Sequence, residues 1–211
     1  MHAGATLNPG RPRARRVNLG VDFDDVLYPY HRYLKRRLQH VFGVDLSRRP
    51  VTTFYYEHLP EFRALGVSRE AIWAEVQAAW KETASHDAAP LLDPEAGPIL
   101  KRLARRHQIT VATARSADAL PHVERFLSRH RIRPHKILLG QEEKRGFDVL
   151  IDDFPRHAVE NCASGGYAIL YHIDENSTFD ESRHPRIYRV HGWREIESIV
   201  EQINWARTRR A

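Results

Sequence analysis

Residues 17–27 read Val-Asn-Leu-Gly-Val-Asp-Phe-Asp-Asp-Val-Leu, a short apolar run that stops at Asp22 and is followed at once by Asp24 and Asp25. Five residues of this kind, ended by an acid, suit a strand buried on both faces. A carboxylate at the C-terminal end of such a strand faces the crevice where open α/β sheets bind ligands. The residue two places on can return to the same side, so Asp22 and Asp24 form a candidate pair.

The chain on either side of this run has two different rhythms. Downstream, apolar strands alternate with helices. Strands are predicted at Gln108–Thr113, Lys136–Leu139, 147–151, Tyr167–Tyr171 and 186–190, and helices at 117–130, from about 156 to Gly165, and at 193–206. In the second of these helices Cys162 is expected on the apolar side, in the core. Short strands separated by helices indicate a parallel sheet covered on both faces. Between 28 and 93 the alternation is missing. The spacing there predicts a helix over 31–42 stopped by Gly43, then an aromatic cluster at Phe54, Tyr55 and Tyr56. A second helix follows, capped by Ser68, with Ile72, Trp73, Val76 and Trp80 facing inward. Asp93-Pro94 is expected to cap and open the next helix, with Ile99, Leu100 and Leu103 inward. The fold class is therefore α/β, a Rossmann-like parallel sheet with helices on both faces and a small helical cap inserted after the first strand. The expected division is a core of 17–27 and 94–206, a cap of 28–93, a disordered basic tail at 1–16 and a basic C-terminal tail at 207–211.

Composition narrows the function. The 211 residues are 42% hydrophobic and 28% charged, which suits a folded, soluble chain. No apolar run approaches the ~20 residues of a membrane helix, and the N-terminus lacks the apolar stretch of a secretory signal. The single cysteine, Cys162, excludes an internal disulfide and suits a reducing cytoplasm. A net charge of +6 raises the question of nucleic acid, but Arg11, Arg13, Arg15, Arg16, Arg207, Arg209 and Arg210 lie at the two ends. Without those seven, 26 basic residues face 27 acidic ones, so the body is not basic and nucleic acid is not its expected partner. The 13 histidines show no paired zinc spacing. There is no G-x-S-x-G and no placed Cys–His partner for a serine or cysteine hydrolase.

The acids suggest attack on phosphorus. Asp22 would be the nucleophile, forming an aspartyl-phosphate. Asp24 would protonate the leaving alkoxide and later deprotonate water. A carboxylate approaching a phosphate dianion is repelled by roughly 4 kcal/mol per charge pair at 4 Å in a moderately polar site, so fixed positive charge is needed. Asp152 and Asp153 close the strand at 147–151, and one of them could complete an oxygen-rich Mg²⁺ site with Asp22 and the main-chain carbonyl of Asp24. Thr113, at another strand end, and Lys144 offer donors to the phosphoryl oxygens. Lys136 is a rival for the lysine, but it lies inside an apolar strand pattern.

The set VDFDDVL (21–27), ITVATAR (109–115), Lys144 and VLIDD (149–153) resembles the four motifs of the haloacid dehalogenase-like hydrolases. The resemblance spans about 17 to 195. It implies Asp22 as nucleophile, Asp24 as acid/base, Thr113 and Lys144 as phosphoryl holders and Mg²⁺ as cofactor. Family members often carry Gly-Asp where this chain has Asp152-Asp153, which favours Asp153 as metal ligand and leaves Asp152 as a supporting or alternative one. An acid two residues after the nucleophile marks the phosphoester-cleaving members, as opposed to dehalogenases or ATPases.

A helical cap with Thr113-Ala114-Arg115 and Leu150-Ile151-Asp152-Asp153 looks like the 5′(3′)-deoxyribonucleotidases, whose cap aromatics stack on the nucleobase. That likeness makes Phe54, Tyr55, Tyr56 and Trp73 candidates for a base platform, with Ala114, Arg115 and Ser116 near the phosphate or sugar. The expected substrate is a small phosphate monoester, a (deoxy)nucleoside monophosphate. Two alternatives are a phosphatase for a sugar or cofactor ester and a nucleic-acid-associated processor of phosphate ends. A homodimer is left open.

Overall fold

The run at 18–22 is the strand around which the sheet is laid out. A computed structural model describes residues 16–47, 50–82, 88–140 and 144–208. Strand β1 (Asn18–Asp22) pairs in parallel with β2 (Gln108–Thr113) on one side and β4 (Val149–Asp152) on the other. With β3 (Lys136–Leu139), β5 (Tyr167–Tyr171) and β6 (Ile187–Val190) the order is β3-β2-β1-β4-β5-β6, and every pairing is parallel. Leu19, Val21, Val111, Val149, Ile151 and Ile169 are wholly buried, as strands covered on both faces require. The order reverses direction at β1 and β4, so the crevice between their C-terminal ends is the switch point where such sheets take ligands.

Four helices cover the sheet, three of them between successive strands and the last after β6. They are α4 (Ala96–Leu103), α5 (Leu120–Arg129), α6 (Pro155–Ala163) and α7 (Trp193–Thr208). The segment after β1 holds α1 (Tyr30–Phe42), a 3₁₀ turn (Tyr56–His58), α2 (Pro60–Ala64) and α3 (Arg69–Lys81). Helices α1 and α3 pack together through Leu34, Leu38, Ile72 and Ala79, and Phe62 of α2 meets Phe42 edge-on at 5.8 Å. Among the described residues no helix is long and apolar enough to cross a membrane.

Several sequence expectations are corrected. Asp93-Pro94 forms the turn before α4, which itself starts at Ala96: Asp93 Oδ1 accepts from the N–H of Glu95 at 2.8 Å, and its Oδ2 accepts from the N–H of Trp193 at 3.0 Å at the start of α7. Trp73 does not face inward with Ile72. It is 44% exposed on the cleft side, touching Trp80 edge-on at 5.6 Å, while Ile72, Val76, Ala79 and Trp80 make the packed stripe. Strand β4 begins at Val149 rather than 147. Cys162 is half-buried, its thiol 3.6 Å from the carbonyl of Arg186. Helix α7 continues to Thr208, so Arg207, counted as tail, is helical and pairs with Asp148. The remaining expected tail residues at 1–15 and 209–211 lie outside the described residues.

Candidate active site

Parallel register brings the C-terminal ends of three adjacent strands together: Thr113 of β2, Asp22 of β1 and Asp152 of β4. Asp22 is 3% exposed; its Oδ2 lies 2.7 Å from Lys144 Nζ, and its Oδ1 accepts from the N–H of Phe23 at 2.6 Å. Lys144 Nζ also lies 3.0 Å from Asp152 Oδ2. Burial pushes the Asp22 carboxyl up to about 7, against the opposing pull of Lys144. Lys144 is raised as well, held above its ordinary range by Asp152 and Asp22 in spite of its burial. Asp152 falls to about 2, because Lys144 and His157 overcome its burial. Its Oδ1 also accepts from the N–H of Phe154 at 2.8 Å.

A close approach delivers Lys144 to this place. A Cβ on Gly20 would meet the ring of Phe147 at 2.5 Å, so only glycine in β1 lets the Phe147 ring lie across the strand. Asn161 of α6 then clamps Phe147, accepting its N–H at 3.0 Å and donating to its carbonyl at 3.2 Å. Lys136, the rival, is an exposed residue at the start of edge strand β3.

Asp153 is different from Asp152. It is buried at 5% exposure but lines the cleft, and its carboxyl is held well above the ordinary range by burial and by Asp22, Asp152 and Asp25. Carboxylate oxygens of Asp22, Asp152 and Asp153 lie within 4.8 Å of one another. Three hard oxygen donors that one buried ammonium does not fully compensate fit a small divalent cation such as Mg²⁺. A second grouping, Asp25, His31 and Asp153, meets the same 4.8 Å limit. Asp25 and His31 are already engaged with each other, through Asp25 Oδ2 and His31 Nδ1 and through the His31 N–H at 3.0 Å. These bonds hold Asp25 at φ 51°, a left-handed turn that aspartate tolerates better than most residues.

Above the acids is a cleft of about 670 Å³, within the usual size of small-molecule sites. Asp22, Asp24, Ala114, Lys144 and Asp153 line its floor, and Phe54, Tyr55, Tyr56 and Trp73 its wall. Tyr55 and Trp73 are 46% and 44% exposed, whereas Tyr56 is 2% exposed and donates its hydroxyl to Glu175 at 3.2 Å. Phe54 packs edge-on against Phe154 at 4.7 Å and His31 at 5.5 Å. Arg115 and Ser116 are not brought to the wall. Ser116 is exposed and bonds to Asp118, while Arg115 is wholly buried and pairs with Asp24. Thr113 is wholly buried too; its hydroxyl lies 3.5 Å from Asp24 Oδ2 and accepts from the Arg115 N–H at 3.3 Å.

Sequence reasoning missed His31 and His157, both in the cleft wall. The i+6 spacing of Asp25 and His31 carries no motif, but a helix beginning at Tyr30 places His31 one turn from the acidic loop. His157 is one turn into α6, behind Asp152, where its Nδ1 lies 3.2 Å from both carboxylate oxygens.

Comparison with known proteins identifies the family. The model of the family described as "5′ nucleotidase, deoxy (Pyrimidine), cytosolic type C protein" matches residues 15–208. No curated protein matches the chain in sequence. Among solved structures, a predicted phosphoglycolate phosphatase from Haemophilus somnus 129PT superposes with a TM-score of 0.61 at 12% identity, covering 88% of this chain and 98% of that one. A phosphonoacetaldehyde hydrolase-like protein from Oleispira antarctica gives 0.60 at 10% identity, with 97% and 99% covered. A haloacid dehalogenase-like family hydrolase from Xanthomonas campestris gives 0.56 at 15% identity, with 95% and 100% covered. At these identities the likeness is one of fold.

Proposed function

Because the chain belongs to the cytosolic type C 5′-nucleotidase family, within the haloacid dehalogenase-like hydrolases, we propose that this phosphatase is a Mg²⁺-dependent 5′-nucleotidase working through an aspartyl-phosphate. The observation that carries the reading is the buried Asp22–Lys144–Asp152 group, whose two acids close adjacent strands, with Asp153 beside it and an aromatic-walled cleft above.

Asp22 attacks phosphorus, and the leaving alkoxide takes its proton from Asp24. Water then attacks the same phosphorus, giving its proton to Asp24 while the P–O bond to Asp22 breaks. Lys144 holds one cationic charge against the transferring phosphoryl oxygens and keeps Asp22 in place. Thr113, buried behind Asp24, fixes the start of the 113–116 turn so that Ala114 closes the floor. Asp22, Asp153, Asp152 and the carbonyl of Asp24 would hold the Mg²⁺, which supplies charge neutralisation when bound.

Residues 28–93 act as a cap. Phe54, Tyr55 and Trp73 offer ring faces or edges to a nucleobase, and Tyr56 braces them through Glu175. The test is phosphate release from a panel of nucleoside monophosphates and sugar phosphates, with Mg²⁺ or with a chelator. Metal-dependent release from the nucleotides is expected. Release from sugar phosphates alone would remove the substrate and keep the chemistry.

A further inference from the structure

The acid/base candidate is gripped by a group that the cleft does not expose. Arg115 Nη2 lies 2.6 Å from Asp24 Oδ1 and Nε 3.0 Å from Oδ2, a two-point fork that fixes both the position and the plane of the carboxylate. The Arg115 side chain is 0% exposed, and that of Asp24 is 15% exposed into the cleft. Aromatic rings enclose the guanidinium, whose carbon is 5.0 Å from the Phe23 centroid, 5.1 Å from Tyr28 and 5.8 Å from Tyr30. Phe23 is stacked on Tyr28 at 5.5 Å, so the enclosure is itself rigid. A guanidinium so enclosed has no route to a substrate in the cleft.

Guanidinium only donates, so both Asp24 oxygens accept from it, and the fork leaves the carboxylate no freedom to turn away from the cleft. We infer that Arg115 is a positioning residue that orients Asp24 for the second half of the reaction. In that step the water oxygen bonds to phosphorus, the water proton passes to Asp24, and the electron pair of the breaking P–O bond returns to Asp22. This deepens the phosphatase reading and rests on it.

An aryl ester isolates the step, because its leaving group needs no proton. With p-nitrophenyl phosphate and Mg²⁺, stopped-flow measurement on Arg115→Lys and Arg115→Met is expected to show a burst of p-nitrophenol. A steady state at least about tenfold below wild type follows, with KM not raised. Burst amplitude counts the competent sites, so the ratio of steady rate to amplitude is unaffected if part of a variant fails to fold. Asp24→Asn should show the same burst, and the double variant with Arg115→Lys should be no slower than Asp24→Asn alone. A raised KM with unchanged kcat, equal loss of burst rate and turnover, or additive losses in the double variant each overturn the inference. Undiminished turnover in Asp24→Asn overturns the acid/base reading of Asp24 and this inference with it. A burst in Asp24→Asn without one in the Arg115 variants overturns this inference alone.

Discussion

Lys144 Nζ stands 2.7 Å from Asp22 Oδ2 inside the protein, and the same ammonium reaches Asp152 Oδ2 at 3.0 Å. One cation therefore ties the strand-end acid of β1 to that of β4 across the switch point of the sheet. Replacing it by methionine leaves buried carboxylates facing one another. Lys144→Met should cost about 3–5 kcal/mol of stability, the usual effect of breaking a buried pair. It should also lower kcat by about 10²-fold or more. Denaturant unfolding and phosphate release measure the two; a variant as stable and active as wild type would contradict the assigned pairing.

Burial lifts Asp22 from 3.8 to about 7. Between about pH 4 and about pH 7 the folded, metal-free protein therefore keeps a proton that the unfolded chain has released, so the Asp22 contribution to stability falls as pH rises through that window. Asp153, also raised, acts in the same sense. Asp152, lowered to about 2, contributes stability above about pH 4 that is lost as pH falls below it. A divalent cation competes with the protons on Asp22 and Asp153, so Mg²⁺ should raise the unfolding temperature more near pH 8 than near pH 5. Equal shifts at both, or none, would count against a metal held by these acids.

Trp73 is 44% exposed on the cleft wall, with its ring edge-on to Trp80 at 5.6 Å. If it stacks on a base, Trp73→Ala should raise KM for a nucleotide by about 5- to 150-fold, corresponding to ~1–3 kcal/mol, with kcat little changed. KM for a small sugar phosphate should stay put. A parallel rise for both would assign Trp73 to cap packing.

Gly20→Ala tests how the lysine is delivered. The added methyl meets Phe147 at 2.5 Å, and Phe147 is locked by Asn161. Overpacking of this kind costs about 1–3 kcal/mol, and the displaced connection should reduce activity further by moving Lys144. Normal activity would show that the 144–147 connection yields without disturbing the ammonium.

How far the sequence revealed this site follows from the range of the interactions. Asp22, Thr113 and Asp152 were legible because each ends an apolar run, and parallel register brings such ends together without further information. Lys144 was found by its order in the chain, whereas the contact that seats it, Gly20 against Phe147, joins residues 127 positions apart and has no local signature. Arg115 was expected beside the phosphate or sugar. Nothing in Thr-Ala-Arg says that Phe23, Tyr28 and Tyr30 will enclose the guanidinium. Trp73 and Ile72 are adjacent in sequence, and only the true orientation of α3 sends one out and the other in.

The most direct test of the account is acid-quenched single turnover of a nucleoside monophosphate with Mg²⁺, followed by mass mapping of the peptides. A transient phosphoryl group is expected on the peptide carrying Asp22 and absent from Asp22→Asn, which should also lack turnover. Phosphate release in Asp22→Asn at the wild-type rate, or a phosphoryl group carried elsewhere, would contradict it.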